Sequence, residues 1–281
     1  MKYQTLLSPA LFKRTLLSVA LVAACSSTWA LPVFTVNPAA ATPALPGSPV
    51  TADNILLSDF STVLFTSPTN FTDKGFLSIT GFQLGGANVV AGGLNSLYSL
   101  YFAFTGTGHL TIGSASTDPR TSVTAGVLDT LTYSLLGATG NSSFGFSGNT
   151  PTVTSVAPVT LGTGSLINGN VVSTPANGNT AFVPSAAGTL AFNVAPGQQG
   201  FFQSPNPFYN IAFAAFTNAV PTITPINAGS GVGSGFRINN GGGNLNFAQP
   251  VTKPVPEPGT LGLMLAGLGA VGFMARRRKL S

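Results

Sequence analysis

The sequence predicts an all-β fold, a single domain of β-sandwich-like or jelly-roll-like architecture, from three observations. Gly, Ser, Thr, Asn, Ala, Val, Leu and Phe dominate the chain between Leu31 and Pro258, where Glu, Lys and Arg, the charged helix formers, are scarce. Phe is abundant, 21 in the chain, which separates it from disordered chains, poor in aromatics and rich in charge. Apolar residues also alternate with a period of two between turns rich in Gly, Pro and Asn.

The elements follow in order. Phe34 to Pro49 is rich in Pro and Ala and reads as an irregular opening segment with one short edge strand. Ile55–Phe65 and Gly75–Leu84 are two strands separated by the turn Ser67-Pro68-Thr69-Asn70. Leu97–Phe104 is apolar on both faces, the pattern of a central strand covered on each side. Thr105-Gly106-Thr107-Gly108 reads as a turn into His109–Ile112, and Val127–Leu136 as a further strand. The stretch 137–184 carries Gly, Asn, Ser and Thr with short valine-containing pieces, and is expected to be loop-rich. Thr189–Val194 and Tyr209–Thr217 alternate as strands. Gly235–Ile238 and Asn244–Ala248 flank Asn239-Asn240-Gly241-Gly242-Gly243 as a hairpin. The β domain is thus placed at 31–250 and a linker at 251–255.

The charge balance excludes nucleic acid as a partner. The formal charge is +5, but Lys2, Lys13 and Arg14 precede the domain and four further cations lie in the last residues of the chain. Between Leu31 and Pro258, four cations face six anions and leave −2. Counterion release needs several clustered cations, and none cluster here.

Both ends read as targeting segments. Lys2, Lys13 and Arg14 precede the apolar stretch Leu16–Ala24, and Thr28-Trp29-Ala30 offers small residues for cleavage between Ala30 and Leu31, the pattern of a secretory signal peptide over 1–30. A second reading stays open, since Val22-Ala23-Ala24-Cys25 resembles a lipobox with Cys25 as the lipidated residue. Cys25 is the only cysteine, so cleavage after Ala30 leaves a chain without disulfides. At the other end, Pro256-Glu257-Pro258 precedes an apolar run of 17 residues, Gly259–Ala275, and then Arg276-Arg277-Arg278-Lys279. Seventeen residues are near the shortest helix that spans a bilayer, and the four cations would keep the C-terminus cytoplasmic. The two prolines hold Glu257 in an extended segment that a processing enzyme could thread through its cleft.

This tail, residues 256–281, resembles the PEP-CTERM sorting signal of Gram-negative bacteria. The resemblance implies export across the inner membrane, transient anchoring by the C-terminal helix, and processing by an exosortase. Pro256, Glu257, Pro258, Arg276, Arg277, Arg278 and Lys279 are then the sorting residues. The domain itself is similar to the flocculation-associated branch of these proteins at Phe34-Thr35-Val36-Asn37-Pro38, Thr51-Ala52-Asp53, Leu97-Tyr98-Ser99-Leu100-Tyr101, and Gly235-Phe236-Arg237-Ile238 through Asn246-Phe247. That resemblance implies a non-enzymatic protein of the cell surface and extracellular matrix, acting with exopolysaccharide in flocs or biofilm. A nearly uncharged, hydroxyl-rich surface suits such a neutral, hydrated partner.

Catalysis finds little support in the residues, and no catalytic, cofactor or metal site is expected. His109 is the only histidine, and no Gly-x-Ser-x-Gly elbow accompanies it. Zinc draws on several His or Cys. Asp53, Asn54, Asp59 and Asp73 could supply oxygens to calcium, but their spacing fits no calcium loop, and turn formation is the simpler role. A glycosidase pair could be sought among Asp53, Asp59 and Asp73. Tyr98, Tyr101, Tyr133 and Tyr209 could stack on sugars if exposed, the feature of a carbohydrate-binding module, but their strand patterns favour the core.

Overall fold

Alternation along the longer strands decides the architecture. On Asn54–Phe65 the residues Ile55, Leu57, Val63 and Phe65 are all buried, and with Asp59 and Ser61 they share one face. Each neighbouring strand presents one such inward face, and the sheet curls until its edges meet. The computed structural model describes residues 31–113, 123–175, 182–217, 222–227 and 232–248. Their strands are β1 Phe34–Val36, β2 Val50–Ala52, β3 Asn54–Phe65, β4 Asn70–Leu84, β5 Ala87–Val89, β6 Tyr98–Ile112, β7 Thr124–Ser147, β8 Thr150–Pro175, β9 Phe182–Val194, β10 Phe202–Ser204, β11 Ile211–Thr217, β12 Ile223–Ile226 and β13 Gly235–Ala248.

Eight strands form a closed antiparallel ring. β3, β4, β6, β7, β8, β9 and β11 pair in succession. β13 then pairs with β11 on one side and with β3 on the other. All-β is therefore correct, but the expected sandwich or jelly roll gives way to an up-and-down barrel whose strands are neighbours in sequence. β5 adds to the edge of β4, and β12 to the first half of β13. The order β10-β1-β2 makes a small separate sheet. It closes the barrel end where β3 begins and β13 finishes. There Phe34, fully buried, lies 5.2 Å from Phe247, and Phe208 lies 4.5 Å from Phe202 and 4.8 Å from Phe247. Such edge-on aromatic contacts exclude water from this end.

Three local expectations are overturned. The stretch 137–184, expected to be loop-rich, is strand over most of its described length, as the ends of β7 and β8 and the start of β9. Gly148 forms the β7–β8 turn, but Gly162 and Gly164 serve the barrel, because they admit the rings of Phe192 and Tyr133 from neighbouring strands. The same holds at Thr105–Gly108, which is not a turn but the middle of β6. A Cβ at Gly108 would stand 2.9 Å from Cε1 of Phe71, so the ring occupies the space that a side chain would take. Asn239–Gly243 is likewise no hairpin turn. β13 runs through it and absorbs Asn240, at φ 64°, as a bulge opposite β3. The Asp118-Pro119-Arg120 segment lies outside the described residues.

The hairpin of β7 and β8 is longer than the barrel is tall. Register shifts between Thr139 and Ser143 bend it back over the outer faces of β6, β4 and β3. Phe144 then stacks on Phe60 at 5.3 Å and meets Tyr101 at 5.5 Å and Phe76 at 6.3 Å. The Ser99 and Ser142 hydroxyls bond at 2.6 Å, and Thr62 donates to the Asn149 carbonyl at 2.7 Å. At the tip, Arg237 donates to the Gly148 carbonyl at 2.8 Å and lies over the Phe146 ring. This second layer covers β6 on its outer face, which explains why its sequence is apolar on both.

Candidate functional site: a carboxyl pair inside the barrel

The barrel interior holds two apolar clusters. One, at the closed end, includes Leu57, Ile79, Phe102 and Phe247; the other holds Val63, Phe65, Phe71, Leu110, Phe236 and Ile238. Between them on β3 lie Asp59 and Ser61, and between them on β4 lie Asp73 and Gly75. Pairing sets Ser61 opposite Gly75, Asp59 opposite Leu77 and Val63 opposite Asp73. Gly75 is required there, because a Cβ would stand 2.6 Å from both Cα and Cβ of Ser61. Asp59 and Asp73 thereby line a cavity of about 150 Å³ to which all eight ring strands contribute, with Ser61 beside them on the inner wall.

Asp59 is 5% exposed and Ser61 fully buried. Neither Oδ1 of Asp59, Oδ1 of Asp73 nor Oγ of Ser61 has a hydrogen-bond partner from the protein. Burial pushes the Asp59 carboxyl from 3.8 up to about 7, and nearby Ser61 offsets this only in part. Burial also raises Asp73 well above the carboxylate range, the charge of Asp59 raises it further, and Ser61 again partly offsets. Although Ser61 tempers both carboxyls, it meets neither in the alignment of a formed bond. Because the charge of Asp59 acts on Asp73, the two acids titrate as a pair rather than as independent groups. Most of the remaining wall is hydrocarbon. One exception is Tyr133, which donates to the Ala191 carbonyl at 2.6 Å; burial pushes its hydroxyl pKa up.

The other residues singled out by sequence fall elsewhere. Asp53 is separated from the pair, at the closed end, where its Oδ2 accepts from the Gly85 amide at 2.7 Å. Asn54 beside it donates to Gln83 at 2.7 Å. The four residues weighed for calcium thus divide between a turn and the chamber, and among the described residues no three His, Cys, Asp or Glu gather. His109 is on a strand rather than beside a turn. Its Nδ1 lies 2.9 Å from both carboxylate oxygens of Asp129, on the outer wall. Thr107 and Thr130, on that same wall, bond each other at 2.8 Å. Tyr98, Tyr101, Tyr133 and Tyr209 are all buried, so none presents a ring face to a sugar.

The signal that locates the pair is the phase of alternation. Asp59 and Ser61 continue the buried positions Ile55 and Leu57, and Asp73 follows Phe71 on the same phase. A carboxylate on the apolar phase of a strand points to the interior.

Outside the barrel the wall carries few charges, Lys74 and Asp129 among them. Thr105, Thr132 and Ser165 are neighbours across β6, β7 and β8, and Ser134, Thr163 and Asn193 form a parallel row onto β9. With apolar side chains inside and hydroxyls outside, this polarity is the reverse of a transmembrane β-barrel. Among the described residues no helix is long and apolar enough to cross a membrane. The expected span Gly259–Ala275, the residues Pro256, Glu257, Pro258 and Arg276–Lys279, the signal peptide 1–30 with Ala30, and Cys25 lie outside the described residues; Leu31 is the first of these.

No curated protein and no solved structure matches the chain. A family match falls on its last residues. Residues 254–279 match the PEP-CTERM protein-sorting motif, and the chain therefore carries the signal of an exported protein that is sorted through a membrane-anchored stage and processed by an exosortase.

Proposed function

We propose that this is a non-enzymatic protein of the cell surface and extracellular matrix that acts with exopolysaccharide to hold cells together in flocs or biofilm. The observation that carries the reading is the outer barrel wall. Its rows of Thr, Ser and Asn across β6 to β9 offer hydroxyls and amides with few charges, the chemistry that matches a hydrated neutral polymer. Many weak hydrogen bonds over such a wall give avidity without a single deep sugar pocket. Within the tail, Glu257 between Pro256 and Pro258 is the recognition handle for the exosortase, and Arg276 to Lys279 hold the C-terminus in the cytoplasm until processing.

A deletion strain tests the role. Cells lacking the protein should make normal amounts of polysaccharide yet grow dispersed, and unchanged aggregation would refute the reading. Processing is tested separately by intact mass. Replacing Glu257 with Ala should leave the tail attached, and equal mature masses for the two proteins would exclude Glu257 as the handle.

A further inference from the structure

We propose that the barrel interior is a binding site for a small organic amine, its ammonium head held by Asp59, Asp73 and Ser61 and its hydrocarbon body lying in the apolar chamber. The space is suitable: about 150 Å³ walled by Val63, Phe71, Leu128, Phe236 and Ile238 among others. A chamber of that size and lining accepts roughly a benzene ring. Four oxygens on or beside the chamber lack a protein partner: Oγ of Ser173 lies at its far end, and three gather at the acid pair, Oδ1 of Asp59, Oδ1 of Asp73 and Oγ of Ser61. A primary ammonium has three N–H donors, one for each of these three.

The sign of the head group follows from what faces the pair. Among the described residues the nearby cation in sequence, Lys74, is exposed on the outer wall in a groove with Thr105 and Thr132. Arg237 is outside against Gly148 and Phe146, and His109 is outside against Asp129. Two carboxyls with buried Oδ1 atoms and, among the described residues, no counter-charge beside them favour a cationic ligand over a neutral or anionic one. A calcium ion would need six to eight oxygens, and most of this wall is carbon. An alcohol could satisfy one or two of the oxygens but brings no positive charge to offset the carboxylate that forms when the pair gives up a proton.

Calorimetry on the full chain in zwitterionic nanodiscs, with empty nanodiscs as baseline, decides the matter at pH 7.5. The probes are 2-phenylethylamine, 2-phenylethanol, 3-phenylpropionate and calcium chloride. The amine is expected to bind at least tenfold more tightly than the alcohol, with no detectable heat from the carboxylate or calcium. Asp59→Asn should weaken the amine at least tenfold and reduce its preference over the alcohol. Equal binding of amine and alcohol would make the chamber a plain apolar cavity, displacement of the amine by calcium would make it a metal site, and silence from all four probes would leave no site; each overturns the proposal. Should Asp59→Asn fail to fold, the amine-to-alcohol ratio of the native protein still decides.

Discussion

Replacing Asp59 with Asn should make the protein more stable at pH 8 and about 1–2 kcal/mol less stable near pH 3. The native Asp59 carboxyl holds its proton up to about 7, whereas in the unfolded chain it releases it near 3.8. Between those values the folded state binds more protons than the unfolded one, so stability falls as pH rises. Stability from this group is complete below about pH 4 and lost once pH passes about 7. At about 1.4 kcal/mol per pH unit the loss is about 4 kcal/mol. Asp73 is shifted in the same direction by burial and by the charge of Asp59, and adds to the slope. An amide at position 59 carries no charge at any pH, but burying it costs about 1–2 kcal/mol where its bonds are incomplete. The expected gain at pH 8 is therefore between about 2 and 3 kcal/mol, roughly 4–12 °C in Tm for a domain of this size. Thermal unfolding followed by circular dichroism from pH 3 to pH 8 measures it. Only six acidic residues occur in the chain, so few other carboxylates contribute to the slope. Native stability that is flat or rising from pH 4 to pH 7, or an Asn variant weaker than native at pH 8, would refute the reasoning.

Two further substitutions test the architecture. Phe144→Ala removes the ring that joins the bent hairpin to Phe60, Phe76 and Tyr101, and should cost about 2 kcal/mol while speeding proteolysis at the tip between Ser147 and Thr150; an unchanged cleavage rate would mean that the hairpin is held by other contacts. Gly108→Ala drives a methyl group into Phe71 and should lower the urea midpoint by the equivalent of about 1–3 kcal/mol, whereas a turn at this position would tolerate the change.

The strands that sequence located best are those with ordinary alternation. The turn at Ser67–Asn70 separates β3 and β4 as expected, and Thr189–Val194 lies within β9. Closure of the ring was not legible, because it depends on which strand edges meet, and alternation reports only faces. A sandwich and a barrel share the same inward and outward pattern. Glycine caused the larger errors. In β6 and β8 it lines the inner wall beneath aromatic rings, yet in isolation it reads as turn. Alternation also broke where register shifts: Ile79 and Phe82 are both buried although three positions apart, since β4 changes phase opposite Leu56 and Leu57. In β11 the larger side chain Phe213 faces solvent and Ala212 and Ala214 face inward, where Phe247 and the chamber take the volume. The carboxyl pair was visible as residues but not as a site. Asp59 and Asp73 were weighed with Asp53 for calcium because they are near in sequence, whereas strand phase separates Asp53 from them.

The barrel and the sorting tail constrain one another through chain order. Among the described residues β13 is the last strand to be synthesised, and it forms the seam with β3, the first strand of the ring. The ring therefore cannot close until residues through Ala248 have crossed the membrane, and pairings between such distant segments form slowly. Retention at the membrane by the tail would keep the chain in place during that step. From Ala248 to Pro256 the chain advances eight residues, at most about 28 Å even if fully extended. If Gly259–Ala275 spans the bilayer, as the proposed sorting requires, the barrel would be held close to the membrane surface. Ala248 leaves from the end that β1, β2 and β10 close, and the chamber extends toward Thr124, Ser173 and Pro184 at the opposite end. Such a tether on the closed end would direct the other end away from the membrane. The barrel could then acquire a ligand before the tail is cut, and cutting near Pro256 would leave β13 and its seam whole.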